Sequence, residues 1–494
     1  MLRGLLVFLL ALTVWVTALW FGLRPDFADW PLTEAATAHL APPLAVWLAW
    51  VGWRLLRRRA AQRQAETAAT REAAAEAERQ AALAESRARQ AEELRQQQRG
   101  YDCRAVAMTQ LAQAEDGERA FGLAEGDIAI ALTDPDEEAD PETPILEHLR
   151  PGLAAALGDL YGRCPAAAVF PIYIQPPAEA VGEEVLACLR AIRAELAPDL
   201  ALPARTAGEF NRILFLPAAD SVANSLTSLF DSAPDLPGAV VLAFDSARLR
   251  CLAEDEEAGG DPRRSEERKW LGTPSEGVFA LLFTHPDLDA MLDAAERLET
   301  DHDAMTPYWE RGLSGSGHQL LLAALSREEQ DGLRQTPVLA RVHRAAFAQF
   351  EEQRRHTTAM VRNVQALLER AQVNAALIDA PFATGTPEGA AADDAAPSPD
   401  CGWLVHNAGG VDRSGNRIAT LGVALYNRGL AVDPIDTGTN LVVHGGDYGQ
   451  ARGVALLAIT IARAAQEGTA ALGAEFSGDD GLGLFFAVPP AEPA

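Results

Sequence analysis

Six residues have types and spacing that could hold a small anion or carry acid–base chemistry. His444, Gly445, Gly446 and Asp447, followed by Gly449 and Gly453, stand between a strand-like run and an apolar helical run. Glycines in that position let backbone amides line a helix N-terminus, where an anion can sit. The same pattern serves a tight strand-to-helix turn with Asp447 as its cap. Neither a dinucleotide nor a Walker spacing is present, so the turn is the first expectation. His406 ends another strand-like run near Arg413 and Asn416, and is equally an ordinary strand-end histidine. Ser221, after Asp220, marks a strand-to-helix elbow; without a base it is a helix cap before it is a nucleophile. His406, His444, Gly445, Gly446, Asp447 and Ser221 form a candidate pocket without an assigned catalytic residue.

Other constellations are weaker. Asp301, His302 and Asp303, with Glu299 nearby, offer ligand types, but adjacent helical residues do not face the same way, so no metal site is expected. Gly312–His318 (GLSGSGH) does not satisfy the G-x-S-x-G elbow in register and no apolar strand presents it. Cys103, Cys164, Cys188, Cys251 and Cys401 are scattered singly, against a zinc site or a disulfide framework and in keeping with a reducing compartment. The one lysine, Lys269, lies in a polar run beside Glu267 and Arg268, a poor setting for a Schiff base, and no phosphate loop has its lysine. No cofactor is expected.

These residues need elements to position them. The chain of 494 residues is 48% hydrophobic, enough for a full-sized core. Its net charge of −28 falls mostly beyond Gly100, which argues against nucleic acid as a partner. Ala167–Pro177, Arg212–Pro217, Ala239–Ser246 and Gly277–Thr284 read as buried strands, with helices at Glu183–Ala197 and Ser221–Phe230. After a flexible acidic linker (384–400) come a strand at Gly402–His406, a helix at Ala419–Arg428, a strand at Asn440–His444, a helix at Gly453–Gln466 and a hairpin about Asp479, Asp480 and Gly481. The alternation implies an α/β sheet covered on both faces.

Ahead of it, Gly4–Leu23 runs without charge at a membrane-spanning length, and Ala35–Trp53 supplies a second apolar block, together a transmembrane hairpin. A signal peptide is the rival, disfavoured by the length of the run and the missing cleavage pattern. Arg54, Arg57, Arg58 and Arg59 after the second block, against Asp26, Asp29 and Glu34 in the loop, put both termini on the cytoplasmic side of a bacterial inner membrane. Ala60–Gln98 is rich in Ala, Gln, Glu and Arg: a solvated spacer helix, or an oligomerising coiled coil with Leu83 and Leu94 at its seam. The expected organisation is a hairpin (1–56), a stalk (57–99), a first α/β half (100–383), the linker (384–400) and a second half (401–494).

AVVLAFDSARLR (239–250) and TPSEGVFALLF (273–283), in which Pro274, Glu276, Gly277, Ala280, Leu281 and Leu282 match, resemble β-ketoacyl synthases and other thiolase-fold proteins. HGGDYGQARGVALLAITIA (444–462) is similar to the glycine turn and buried helix of that fold. The resemblance implies a thiolase-like layered α/β region whose nucleophile is a cysteine at an elbow. Here Phe210–Phe230 contains no cysteine, and Asp220 or Ser221 occupies the turn. FPIYIQPP (170–177), WLVH (403–406) and ALYNRGLAVDPIDTG (424–438) look like a bacterial domain family that includes adaptors for type VI secretion lipase effectors. That resemblance implies a non-enzymatic adaptor that holds a secreted effector or its spike carrier at the membrane. The alternative is a membrane-tethered acyltransferase or condensing enzyme using acyl-coenzyme A or acyl carrier protein, with Cys164, Cys188 or Cys251 converging on His406 and His444. A third reading is a structural envelope subunit, a homo-oligomer joined through the stalk.

Overall fold

The computed structural model describes residues 2–23, 31–111, 128–133, 142–198, 212–257, 272–300, 325–350, 357–378, 401–478 and 481–490, with 121, 123, 140, 321 and 322 between them. Asp301, His302, Asp303, Gly312–His318, Lys269, residues 384–400, Asp479 and Asp480 lie outside these. The chain divides into two compact units, Met1–Glu92 and Glu93–Ala494.

In the first unit, α1 (Leu2–Ala18) and a π-helical turn (Leu19–Leu23) pack along the start of α2 (Leu32–Gln97). Trp15 Nε1 donates to the Ala38 carbonyl at 2.8 Å, and the Phe8 and Trp47 rings meet edge-on with centroids 6.4 Å apart. Among the described residues one helix, through Gly4–Phe21, is long and apolar enough to cross a membrane. The second expected span falls short of that test. Its apolar run is bounded by His39 and Arg54, and Pro42 and Pro43 sit inside an unbroken helix. Arg54 and Arg57 lie 5.2 and 4.2 Å over the rings of Trp50 and Trp53, cation–π contacts one turn along the helix. Beyond them α2 is exposed almost throughout, Leu83 included, as a solvated spacer would be.

The second unit is built from two copies of one plan. The first runs β1 (Gly100–Leu111), β2 (Ile128–Thr133), α3 (Ile145–Arg163), β3 (Ile172–Gln175), α4 (Gly182–Leu196), β4 (Ile213–Phe215), α5 (Val222–Ser232), β5 (Gly238–Ser246), α6 (Ala247–Glu257) and β6 (Glu276–Thr284). α7 (Leu288–Thr300) and α8 (Arg327–Gln335) lead to the second: β7 (Ala340–His343), β8 (Ala346–Gln349), α9 (Thr357–Asn374), β9 (Cys401–His406), α10 (Val411–Asn427), β10 (Gly438–Asn440), α11 (Leu441–His444), α12 (Arg452–Glu467), β11 (Ala470–Ser477) and β12 (Gly481–Val488). The strands form one path, β10-β9-β11-β12-β7-β1-β6-β5-β3-β4, with β2 beside β1 and β8 beside β12. Read outward from the central β7–β1 pair, both halves have the same order and the same directions. Three parallel strands lie outermost, and the last strand of each half runs antiparallel to both neighbours.

Three apolar cores fill the layers. The inner one takes α5, α12 and one face of strands from both halves, including Val241, Phe279 and Phe283 from the first and Val405, Ala471 and Phe485 from the second. The outer two take α3 and α4 on one side and α9 and α10 on the other. Val454 to Ala464 of α12 are all buried, so this helix is covered on every side, which explains the long apolar run in its sequence. Gly468, at φ +66°, closes α12 in the left-handed conformation that glycine tolerates. The resulting mixed α/β architecture, with its large sheet, is consistent with the thiolase-like layering expected.

β7, which pairs with β1, opens the second copy of the strand order at Ala340. Three element bounds differ from expectation. Residues 441–444 are a helical turn, closed by Gly445 N–H to Leu441 O at 2.8 Å, which leaves only Gly438–Asn440 as strand. Pro165–Ala168 is a 3-10 turn, and the strand is confined to Ile172–Gln175 between Pro171 and Pro176. The helix expected at Ala419 starts at Val411.

Candidate functional site

The C-terminal ends of β9 and β11, in the second half, face the first turns of α5 and α12, the kind of strand-end crevice where α/β sheets gather functional groups. α5 begins at Ser221, whose extended backbone (φ −149°, ψ 160°) and hydroxyl, accepting from Asn224 N–H at 3.2 Å, make it an N-cap. Asn224 fixes the turn in both directions. Its Nδ2 donates to Asp220 Oδ1 at 2.6 Å, and its Oδ1 accepts from Ala345 N–H at 2.9 Å. The N–H of Val222, the first residue of α5, donates to Glu475 Oε2 at 2.8 Å. The anion position at the start of α5 is therefore filled by a carboxylate of the other half.

Two glycines admit that carboxylate. Gly483 pairs with Glu475 across β11 and β12, and a Cβ on it would lie 3.0 Å from the Ser221 Cβ. A Cβ on Gly453 would lie 3.0 Å from Glu475 Oε1 and 3.3 Å from the Val222 Cβ. Burial pushes the Glu475 carboxyl up from 4.5 to about 7, against the Val222 N–H and the Arg452 charge and with help from Asp220. Sequence reasoning missed Glu475. Its signal was one carboxylate in an otherwise apolar strand, ALGAEFS, where charge is rarely tolerated without a partner.

Asp447 lies next along α12's approach. It is fully buried, and its Oδ1 accepts from Gly449 N–H at 2.9 Å and from Arg452 Nη2 at 2.7 Å. Its backbone bridges to the loop before β6, with Asp447 N–H to Thr273 O at 2.8 Å and Ser275 N–H to Asp447 O at 3.0 Å. Gly446, at φ +88°, passes so close to Thr273 that a Cβ would sit 2.6 Å from its carbonyl oxygen. A Cβ on Gly445 would collide with the Tyr448 hydroxyl. These glycines thus serve close backbone approach, and Tyr448 behind them is buried, its hydroxyl donating to Gln110 Oε1 at 2.9 Å.

The histidines stand apart from this group. His406 is buried, with Nε2 3.0 Å from the Pro434 carbonyl and Nδ1 accepting from Ala408 N–H at 3.4 Å, a pattern that assigns the neutral Nε2–H tautomer. Burial pushes its pKa down. In β9 it stands two residues from Leu404, a member of the outer core, and so on the same face, away from the layer holding Glu475. His444 is exposed at the end of α11. The structure thus joins Ser221 to Asp447 through Val222, Glu475, Gly453 and Arg452, and leaves His406 and His444 outside that chain of contacts. The cysteines lie on other elements: Cys103 in β1, Cys164 after α3, Cys188 in α4, Cys251 in α6 and Cys401 opening β9. Burial pushes the thiols of Cys103, Cys164 and Cys188 up, away from thiolate.

Glu276 centres a second polar group. Its Oε2 accepts from Ser246 Oγ and lies against His148 Nε2, each at 2.8 Å. The carboxylate sits between hydroxyl and imidazole, so the imidazole does not reach the hydroxyl as a nucleophile–base pair requires, and Ser246 Oγ also caps α6 by accepting from Leu249 N–H at 3.1 Å. Among the described residues no three His, Cys, Asp or Glu side chains gather as a metal site needs.

No protein-family model matches the sequence, and no curated protein matches it. Among solved structures, the chain is similar to human mitochondrial 3-ketoacyl-CoA thiolase, with 9% identity, a TM-score of 0.40 and coverage of 80% of this chain and 100% of that one. It is similar to Xanthomonas campestris OleA at 9% identity and a TM-score of 0.42, covering 79% and 96%. It is also similar to a Streptomyces albus ketosynthase domain at 14% identity and a TM-score of 0.35, covering 71% and 82%.

Proposed function

We propose that this protein is a membrane-tethered binding protein whose thiolase-like body recruits a protein partner and does not transfer acyl groups through a thiol. The observation that carries this reading is the first turn of α5. Its cap is Ser221, its leading N–H is taken by Glu475, and the chain's cysteines lie on other elements. A partner surface is at hand in the segment resembling effector adaptors, where Tyr426 and Ile435 are 83% and 68% exposed, beside Val423. On this reading α1 anchors the chain, with the α1–α2 pair as a hairpin in a bacterial inner membrane. The body lies on the cytoplasmic side and holds a secreted effector or its spike carrier before export. Affinity purification of the full chain in detergent tests it. The same effector or spike protein should copurify with the wild type and with a variant in which every cysteine is Ser and Ser221 is Ala; loss of it from the variant would overturn the proposal.

A second reading is favoured by one observation. Glu475, with its carboxyl near neutrality, lies beneath Ser221 through its pair with Gly483, an arrangement open to acyl transfer from acyl-coenzyme A or an acyl carrier protein to a serine oxygen. Intact-mass measurement after incubation with acetyl- and palmitoyl-coenzyme A separates the two. An acyl adduct that disappears in Ser221→Ala establishes the enzyme, whereas an unchanged mass leaves the binding protein.

A further inference from the structure

A cleft of about 390 Å³ opens on the first half, far along the chain from the α5 turn, lined by Arg104, Ala105, Arg163, Gln335, Thr336 and Leu339 among others. Arg104 enters it from an irregularity in β1. Cys103 pairs with Phe283 and Ala105 with Leu282, so Arg104 is the extra residue of a β-bulge, a device that re-aims a side chain out of the ladder's alternation. The side chain is 8% exposed. Its Nε donates to Thr284 Oγ1 at 3.0 Å, and its Nη1 donates to Leu333 O at 3.1 Å and Thr336 O at 2.6 Å, the carbonyls at the end of α8. Those bonds fix the guanidinium plane and use Nε and Nη1, leaving the Nη2 donors and the formal charge without a carboxylate among the described residues.

Arg163 closes the last turn of α3 and also lines the cleft, exposed and likewise without an ion pair among the described residues. In a chain of net charge −28, two guanidiniums facing one cleft with no acidic partner among the described residues stand out, since a buried arginine is ordinarily matched by an anion. Gln335 adds an amide donor, while Ala105 and Leu339 provide an apolar floor.

We propose that this cleft binds a small organic oxyanion, a carboxylate or phosphate group on a short apolar stem. Arg104 is held in place as the fixed donor, and Arg163 swings in as the second. This site is independent of the reading given to the α5 turn.

Calorimetric titration of the full chain in detergent, with inorganic phosphate and with hexanoate as separate probes, tests it. Saturable binding of at least one probe is expected, with phosphate preference indicating an organic phosphate and hexanoate preference a carboxylate. Arg163→Gln, which removes no hydrogen bond or ion pair with the described residues, should weaken that binding about three- to tenfold and leave the ligand-free melting temperature unchanged. Arg104→Gln should abolish binding, and its melting curve shows whether α8 has kept its anchor. Failure of both probes to saturate at tens of millimolar, or binding equal in wild type and Arg163→Gln, would overturn the proposal.

Discussion

Replacing Glu475 by Gln asks whether the carboxylate between the two halves is held against its own ionisation. Burial raises its carboxyl from 4.5 to about 7, so the folded protein binds that proton more tightly than the unfolded chain does. The stability owed to the protonated form is complete below pH 4.5, is lost as pH rises through 7, and amounts to about 3 kcal/mol. Glutamine keeps an oxygen to accept the Val222 N–H and has no proton to lose, so its stability should not follow that window. Relative to Glu475→Gln, the wild type should therefore weaken between pH 5 and pH 8 by roughly this amount. With an unfolding entropy of about 2 cal/mol/K per residue over roughly 400 residues, the relative melting temperature should move by about 4 °C. Melting both proteins in the same detergent at a series of pH values cancels every other titrating group. A difference between them that stays flat from pH 5 to 8 would refute the account of Glu475.

His343 titrates in the opposite sense. Burial lowers it from 6.5 to about 4 and keeps it neutral beside the Gln98 carbonyl, so His343→Gln should flatten the loss of stability that the wild type shows as pH falls from 6.5 towards 4, as read by thermal melts. Thiol reagents should consume Cys188 and Cys251 at native conditions and reach the buried Cys103, Cys164 and Cys401 only after denaturation, which mass mapping of the alkylated protein would check. Leu457→Ala, in the helix enclosed by both sheet halves, should cost about 2–5 kcal/mol in chemical denaturation.

What the sequence made legible followed from chemistry that repeats along the chain. β5 and β6 are wholly buried, so AVVLAF and GVFALLF read as unbroken apolar runs, and α12 reads as an apolar helix for the same reason. β1 was illegible because its polar residues are satisfied by partners remote in sequence. Asp102 accepts from Arg341 Nε at 2.7 Å across the β1–β7 pair, and Arg104 is carried out of register by the bulge. β7 was hidden in the same way, by Arg341 and His343. At the α5 turn, Ser221 was visible as a cap, because a cap is a local property. Glu475 belongs to the same turn only through the pairing of two halves, which no local pattern encodes.

The join between α2 and the body also has a mechanical meaning. Any pull on the chain ahead of Gly100 arrives at β1, which is bonded to β6 along one edge and to β7 and then β2 along the other. The bonds of such ladders run across the strand, so a load along its length must slide many of them at once and cannot peel them singly. Gln98 adds a fastening at the point of entry, its Nε2 donating to Val373 O at 2.9 Å and its carbonyl meeting His343 Nδ1 at 3.0 Å. A tether inserted at the middle of the sheet distributes tension over both halves of the body, whereas one attached to an edge strand would strip that strand away.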